Sequence, residues 1–185
     1  MNWDKLEAET LQCKKCELAQ TRTQVVFGSG DHTAKVLFIG EAPGQAEDEM
    51  GLPFVGRSGK LLDDMLALID LKREDIFITN IVKCRPPANR DPLPRERTAC
   101  TPWLEWQLKR MQPKIIVCLG RVAATYCIRA DFKMMRDHGK WFISPDDIFM
   151  MGMYHPAALL RDPRRRPEAF ADFKVLQDKM KELNI

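Results

Sequence analysis

Six cysteines occur in the 185-residue chain, and their surroundings divide them into two kinds. Cys118 lies in the apolar run KIIVCLG and Cys127 follows it in a helical pattern, so we expect both to be small buried hydrophobic residues. The other four stand among polar and turn-forming residues, with the spacing C-x2-C-x67-C-x15-C. These four are Cys13, Cys16, Cys84 and Cys100.

Four thiols outside the hydrophobic pattern indicate one tetrathiolate metal site, because thiolates are soft ligands for zinc or for an iron–sulfur cluster. A zinc ribbon normally has two short C-x2-C knuckles, and this chain has one, at Cys13 and Cys16. The spacing therefore favours a cluster, and it leaves zinc and a metal-free chain as alternatives. A reducing cytoplasm would keep the thiols from forming disulfides.

Glu41 and His155 are candidates for acid–base chemistry. Glu41 lies in the turn GEAPG, and across a cleft from His155 the pair could orient a water and stabilise an anionic leaving group. Pro156 biases the preceding histidine toward extended backbone. A solvated carboxylate and a hydrogen-bonded loop histidine are the alternatives. GEAPG matches neither the dinucleotide fingerprint nor a phosphate-binding P-loop, so nucleotide hydrolysis is disfavoured.

Asn80 and Phe54 are candidates for binding a base. Asn80 interrupts the apolar run IFITNIV, where a side-chain amide is costly unless it is hydrogen-bonded. Its donor and acceptor could match the O4 and N3–H edge of a base such as uracil, or they could fasten a neighbouring loop. Phe54 lies between Pro and Gly in GLPFVG, and it could be a stacking platform or an ordinary core residue.

The elements that must position these residues alternate between strand and helix. This order predicts a three-layer α/β/α sandwich around a mostly parallel, four-stranded sheet. The four buried strands are predicted at residues 35–39, 76–82, 114–120 and 148–154. A further strand is predicted at residues 24–27.

Helices are indicated by apolar residues at helical spacing and by capping residues. Ser58 is predicted as the N-cap of the helix that follows it. The segment 131–141 lacks a clear period and is predicted as a loop or hairpin. The helices are predicted at residues 2–11, 59–69, 95–111, 121–129 and 167–183.

Ligands of open α/β sheets bind beyond the carboxyl ends of the strands. Glu41 follows the first buried strand, Asn80 lies near the end of the second, Gly120 and Arg121 follow the third, and His155 follows the fourth. We therefore expect these residues to gather at one edge of the sheet.

Composition predicts a single domain over residues 1–185, since 45% hydrophobic and 30% charged residues suit one compact core. The longest apolar run, 115–119, is far shorter than a membrane span, and the charged N-terminus MNWDKLEAET does not resemble a signal peptide. We expect a cytoplasmic monomer with no membrane partner. The net charge is +3, but residues 83–97 hold five basic side chains and 161–166 hold four arginines.

Four blocks occur in order along the chain: GEAPGQAEDEMGLPFVGRSGKLLDDML, TNIVKCRPPANRDP, CTPWL and YHPAALLRDP. Together they closely resemble the iron–sulfur family 4 uracil-DNA glycosylases, from Cys13 to the final predicted helix. The resemblance implies the uracil-DNA glycosylase fold. It also implies a 4Fe-4S cluster held by the four loop cysteines, Cys13, Cys16, Cys84 and Cys100.

The resemblance further implies roles for the residues of the base pocket. The enzyme would flip deoxyuridine out of single- or double-stranded DNA, because its reactive bond cannot be reached within the base stack. Phe54 would stack on the uracil, Asn80 would read its edge, and His155 would donate to its O2. Glu41 would position or activate the attacking water.

Two further parts of the pocket are implied. The backbone around Ala42 and Pro43 would line it, and Glu47 would form the wall that excludes the C5 methyl group of thymine. HPAALLR resembles the family's intercalation loop, with Leu159 as an apolar wedge and a core leucine as the alternative. Phosphates would be held by the basic loop at 83–97 and by Arg161, Arg164, Arg165 and Arg166.

The predicted activity is monofunctional hydrolysis that releases uracil and leaves an abasic site. A related branch that links covalently to uracil carries KRRIH where this chain has NRDPLPRER, so irreversible capture is not expected. Hydrolysis needs no redox step, and a structural role for the cluster is the simpler expectation. A metal-bearing DNA-binding protein without catalysis and a zinc-stabilised interaction module are the alternatives.

Overall fold

The computed structural model describes all residues, 1–185, around one central sheet. Its strands are β1 (Ser29–Gly30), β2 (Val36–Gly40), β3 (Phe77–Asn80), β4 (Ile115–Leu119), β5 (Trp141–Ile143) and β6 (Phe149–Met153). They lie in the order β1-β3-β2-β4-β6-β5. The four inner strands β3, β2, β4 and β6 are parallel, as predicted.

The prediction of a four-stranded sheet is wrong, because β1 and β5 add an antiparallel strand at each edge and make six. These edge strands have only two and three residues, too few to show a period in the sequence. Short edge strands also limit pairing with other chains. The strand predicted at residues 24–27 is absent, and the irregular chain there is held by the Val26 amide, which donates to the Lys83 carbonyl at 2.8 Å.

Helices cover both faces of the sheet, which explains why every residue of β2, β3 and β4 is buried. The helices are α1 (Trp3–Leu11), α2 (Gln45–Met50), α3 (Arg57–Ala67), α4 (Pro94–Met111), α5 (Arg121–Cys127), α6 (Met134–Asp137), α7 (Pro156–Arg161) and α8 (Arg166–Glu182). One hydrophobic core lies against α1, α4 and α5, and the other lies against α3, α7 and α8.

The helix ends show where local sequence decides the structure. Asn2 caps α1, and its side chain accepts a hydrogen bond from the Lys5 amide at 3.0 Å. The prediction that Ser58 is an N-cap is wrong, because α3 already begins at Arg57, after Gly56. The sequence did not predict α2, α6 and α7, since helices of four to six residues show too little of a 3.6-residue period.

The two cysteines assigned to the core differ in burial. Cys118 is fully buried within β4, as predicted, and Cys127 is half-buried at the end of α5. Of the helices in the structure, none combines the length and the apolar character that crossing a membrane requires.

Candidate active site

A cavity of about 590 Å³ opens at the carboxyl ends of the parallel strands. Glu41 follows β2, Asn80 ends β3, Gly120 and Arg121 follow β4, and His155 follows β6, and all five line this cavity. The predicted convergence at one edge of the sheet is therefore confirmed. Its physical basis is that parallel strands end on the same side, so the residues after them share one space.

Five other residues singled out from the sequence also line the cavity. They are Ala42, Pro43, Glu47, Phe54 and Arg161. Sequence reasoning missed Asn89, Asp91 and Tyr154, which line it as well. The first two lie in the loop between Cys84 and α4, where only the basic charges were considered, and no periodic pattern marks them.

Asn80 carries an unusual buried polar atom. The residue is 2% exposed, and its Oδ1 is the one buried side-chain nitrogen or oxygen that lacks a hydrogen-bond partner. Leaving such an acceptor unsatisfied costs about 1–3 kcal/mol, so a donor from a ligand is expected there. Gly40 leaves space for the Asn80 side chain, since a Cβ at position 40 would collide with Asn80 Oδ1 and with the Phe54 ring.

Phe54 forms one wall of the cavity. Its ring centroid lies 5.5 Å from that of His155, and the residue is 5% exposed. Its φ of 51° is in the left-handed region, which costs a bulky residue conformational energy. Arg73 supports this backbone by donating to the Phe54 carbonyl and to the Pro53 carbonyl, the latter at 3.0 Å.

Glu47 braces the same loop from α2. Its Oε1 accepts hydrogen bonds from the amides of Val55 and Gly56, both at 2.9 Å. The carboxylate is therefore already engaged in holding the loop of Phe54. The role of Glu47 as the wall that excludes a methyl group stays a prediction.

His155 is held as a neutral hydrogen-bond donor. Its Nδ1 accepts from the Ala157 amide at 3.1 Å, so the proton of the neutral ring lies on Nε2. Burial of the ring, followed by the charge of Arg161, lowers the pKa of His155 to about 4. Gly120, with a φ of 92°, allows this close approach, since a Cβ there would lie 3.0 Å from that of His155.

Glu41 faces a second carboxyl group. Burial, followed by the nearby Asp91 carboxylate, raises the pKa of Glu41 to about 7. Arg121 Nη2 lies 2.9 Å from Asp91 Oδ2 and partly offsets this repulsion. A carboxyl group that exchanges its proton near neutral pH is suited to act as a general base.

The four loop cysteines line one small cavity, away from the base pocket. Two N–H donors contact the sulfurs of these cysteines. Arg22 Nη1 lies 3.2 Å from Cys84 Sγ, and Trp103 Nε1 lies 3.2 Å from Cys13 Sγ. Such N–H donors are typical of the surroundings of iron–sulfur clusters, where they tune the ligating sulfurs.

The chain contains no group of three or more His, Cys, Asp or Glu side chains spaced to hold a metal ion. In the absence of metal, burial raises the pKa of the Cys84 thiol to about 12. A buried thiol becomes a thiolate when a metal binds it, and four thiols around one cavity fit the soft-ligand chemistry of zinc and of an iron–sulfur cluster.

Leu159 does not lie where a wedge is needed. It is 1% exposed and belongs to the core beneath α7, contrary to the prediction of an exposed intercalating side chain. This burial matches the alternative of a core leucine. The leucine of this helix that lies nearer the surface is Leu160, which is half-buried.

Most of the basic side chains considered for phosphate binding already have protein partners. Arg161 is exposed at the cavity and makes no ion pair, whereas Arg164 Nε lies 2.8 Å from Asp162. Arg165 donates to the Tyr154 hydroxyl at 3.1 Å, and Arg166 to the Leu159 carbonyl at 3.4 Å.

The basic loop at residues 83–97 is also largely paired. Arg90 forms a bidentate ion pair with the fully buried Glu96, at 2.6 and 2.8 Å. Arg95 lies 2.6 Å from Glu17. Lys83 is 1% exposed. Burial makes the Lys83 side chain unavailable to a phosphate, whereas phosphate contacts by the other basic residues of this loop stay a prediction.

The fold and the cavity define a known class of protein. The family model of the uracil DNA glycosylase superfamily matches residues 27–177, which include every residue named above as lining the cavity. The chain belongs to this superfamily and, through the relatives described next, to its type-4 family.

Three of the similar curated proteins are named type-4 uracil-DNA glycosylases. That of Archaeoglobus fulgidus is 45% identical over 180 residues, covering 94% of this chain and 90% of the relative. That of Sulfurisphaera tokodaii is 44% identical over 183 residues, covering 95% and 83%. That of Saccharolobus solfataricus is 42% identical over 185 residues, covering 96% and 86%. The family resemblance inferred from the four sequence blocks is thereby confirmed.

Proposed function

We propose that the chain is a monofunctional uracil-DNA glycosylase, which hydrolyses the N-glycosidic bond of deoxyuridine in DNA. The products are free uracil and an abasic site. One observation carries the proposal: the unpartnered Oδ1 of Asn80 faces a cavity that also holds the Nε2–H of His155 and the ring of Phe54. An acceptor, a donor and an aromatic face are what the N3–H, the O2 and the ring of uracil require.

Binding begins with extrusion of the nucleotide from the base stack, because the bond at C1′ is out of reach within DNA. The base then stacks on Phe54, and its N3–H satisfies Asn80 Oδ1. The free energy recovered at this buried acceptor offsets part of the cost of unstacking. Cytosine lacks a hydrogen on N3 and would leave Asn80 Oδ1 unsatisfied, which supports selectivity for uracil.

In the chemical step, the bond between C1′ and N1 breaks and its electron pair stays on the uracil ring. The resulting negative charge is shared with O2, where the neutral Nε2–H of His155 donates a hydrogen bond. A water forms the new bond to C1′ and gives up a proton. Glu41, whose pKa is about 7, is the group at the cavity that accepts this proton.

The absence of an amine at the cavity supports a monofunctional enzyme. No lysine is among the residues that line it, so no side chain there could form the Schiff base that strand-cleaving glycosylases use. The abasic product would therefore stay intact until alkali or another enzyme cleaves it.

We also propose that residues 1–185 form one domain, since both hydrophobic cores lie on the same sheet.

We propose that Cys13, Cys16, Cys84 and Cys100 hold a 4Fe-4S cluster. When bound, the cluster supplies covalent cross-links between the N-terminal segment, the loop after β3 and α4. The hydrolytic step itself uses none of its redox chemistry. Anaerobically purified protein should be brown, with broad visible absorption that Cys84→Ala abolishes, and a colourless protein that contains zinc would overturn this assignment.

The proposed activity is tested on a fluorescent oligonucleotide with a single uracil. Wild-type protein should produce a strand break only after alkali, and Asn80→Ala and His155→Ala should each be at least about 100-fold slower. If the wild-type protein with its cluster intact binds this DNA and leaves the uracil in place, the chain is a DNA-binding protein rather than a glycosylase.

A further inference from the structure

Lys83 is a buried lysine for which the proposed reaction has no role. It is 1% exposed, and it neither lines the base pocket nor ligates through its side chain at the cysteine site. Its Nζ donates three hydrogen bonds, to Thr79 Oγ1 at 2.6 Å, to Gln107 Oε1 at 2.7 Å and to the Asn80 carbonyl at 2.8 Å. These three acceptors use all three N–H groups of an ammonium.

Stability does not explain this residue. All three acceptors are uncharged, so burying this amine without a carboxylate partner has a free-energy cost, and the same burial lowers the pKa of Lys83 to about 7. A methionine has a similar length and would fill the same space without that cost. The contacts of its Nζ indicate another role, which is to fix the end of β3 against α4.

The acceptors are themselves held in place. The Phe27 carbonyl accepts a hydrogen bond from Thr79 Oγ1 at 2.8 Å and another from Gln107 Nε2 at 3.0 Å. The main chain of Lys83 is also fixed, since its carbonyl accepts from the Val26 amide at 2.8 Å. The network therefore joins β3, α4 and the segment before β1 into one rigid unit.

Asn80 is the member of this unit that meets the substrate. It is the last residue of β3, and its Oδ1 has no partner within the protein, so the direction of its amide depends on the main chain that carries it. We propose that Lys83 is a positioning residue, which fixes the Asn80 main chain through its carbonyl and so aims the base-reading amide into the cavity. This inference rests on the proposed function of Asn80 in uracil excision.

A double-mutant cycle between Lys83 and Asn80 tests the proposal. Single-turnover excision of uracil is measured with saturating protein for Lys83→Met, Asn80→Ala and the double variant. Lys83→Met should be slower than wild type by about 100-fold, the loss expected when a reacting group is misplaced by about 1 Å. The double variant should be no slower than Asn80→Ala, because Lys83 then has no amide to aim.

A merely structural role predicts another pattern. If Lys83→Met only loosens the protein, it should slow excision by the same factor in wild type and in Asn80→Ala. The fold-losses of the two single variants would then multiply in the double variant, and that result would overturn the proposal. Lys181→Met is the matched control, since Lys181 is exposed in the last turn of α8. It should excise uracil at the wild-type rate.

Thr79→Val keeps the test decisive if Lys83→Met does not fold. It removes one acceptor of the network at nearly constant volume, and it should slow excision by about 10-fold, again with no added effect in the background of Asn80→Ala. Multiplying factors in this second cycle would overturn the proposal as well. Failure of the proposed function is a different result, since the wild-type protein itself would then leave uracil in place.

Discussion

At the scale of single residues, two ionisable groups share the cavity with opposite shifts. Burial lowers the pKa of His155 to about 4, whereas burial and the Asp91 carboxylate raise that of Glu41 to about 7. Near neutral pH the histidine is therefore an uncharged donor, and a large fraction of Glu41 is ready to accept a proton. Because the two groups have different surroundings, their pKa values are shifted apart, and one can act as the donor while the other acts as the base.

The pH dependence of excision follows from these two pKa values. The active form of Glu41 is the carboxylate, so its raised pKa means that activity is lost as the pH falls below about 7. The single-turnover rate should fall about tenfold per pH unit below this point. Protonation of His155 should change the slope of the pH–rate profile only near pH 4. A pH–rate profile of wild type and Glu41→Gln measures this.

Glu41→Gln is expected to be slow and independent of pH, because its amide does not titrate. A wild-type profile that is flat between about pH 5 and 8 would contradict the role of Glu41 as the base. In Glu41→Gln, where residue 41 no longer titrates, a break close to the ordinary pKa of histidine would contradict the neutral, buried state of His155.

At the scale of secondary-structure elements, sequence predicted the four inner strands well. Each is a continuous apolar run that ends near a glycine or an asparagine, and predicted and observed bounds differ by a few residues. The short elements α2 and α7 were missed because tertiary contacts define them. Glu47 on α2 binds the amides of the Phe54 loop, and His155 caps α7. A single sequence does not reveal such contacts.

The same difference explains which site residues could be predicted. Glu41, Asn80 and His155 follow or end buried strands, so the ends of the strands indicated them. Asp91 lies in irregular chain that carries no period, and it was found only in the structure. The wedge role of Leu159 follows only from the resemblance to an intercalation loop, and sequence alone does not show that this face of the short α7 meets the core.

The junction between β2 and β3 offers a steric test with a matched control. Gly40→Ala would place a methyl group against Asn80 Oδ1 and the Phe54 ring, so we expect excision to slow by about 100-fold or more. Gly56→Ala should be close to wild type, because its Cβ would have ordinary contacts of 3.5 and 3.6 Å. Single-turnover rates of the two variants make the comparison.

Equal rates for Gly40→Ala and wild type would show that the Asn80 amide is not confined as described. A large loss in Gly56→Ala would show that any added methyl group in this region disrupts the site. Thermal unfolding of both variants separates a local effect on the cavity from a loss of the fold.

At the scale of the whole molecule, the sheet order places the cavity at the point where the chain reverses the direction in which it adds strands. From the central β2, the chain adds β3 on one side and later β4 and β6 on the other. Ligand sites of open sheets form at such a reversal. The net charge is only +3, and Arg90 and Arg95 form ion pairs within the protein. Arg161, by contrast, makes no ion pair and lies at the cavity itself.

The salt dependence of DNA binding tests this distribution of charge. Arg161→Gln should weaken binding and reduce the slope of log K against log salt by about 1, as expected for the loss of one phosphate contact. Arg110→Gln is the control, because Arg110 lies near the end of α4, shortly before β4 begins. This is the amino-terminal end of the strands, whereas the cavity lies at their carboxyl ends. Equal slopes for both variants would contradict a phosphate contact at Arg161.

The central claim is that the unpartnered Asn80 Oδ1 accepts a hydrogen bond from uracil N3–H. The most direct measurement compares single-turnover excision of uracil and of 3-methyluracil from otherwise identical oligonucleotides. The added methyl group replaces only the N3 hydrogen and leaves O2 free for His155. We predict that uracil is excised and that 3-methyluracil is slower by about 100-fold or more, since the acceptor loses its donor and meets a methyl group. Equal rates for the two bases would contradict the claim.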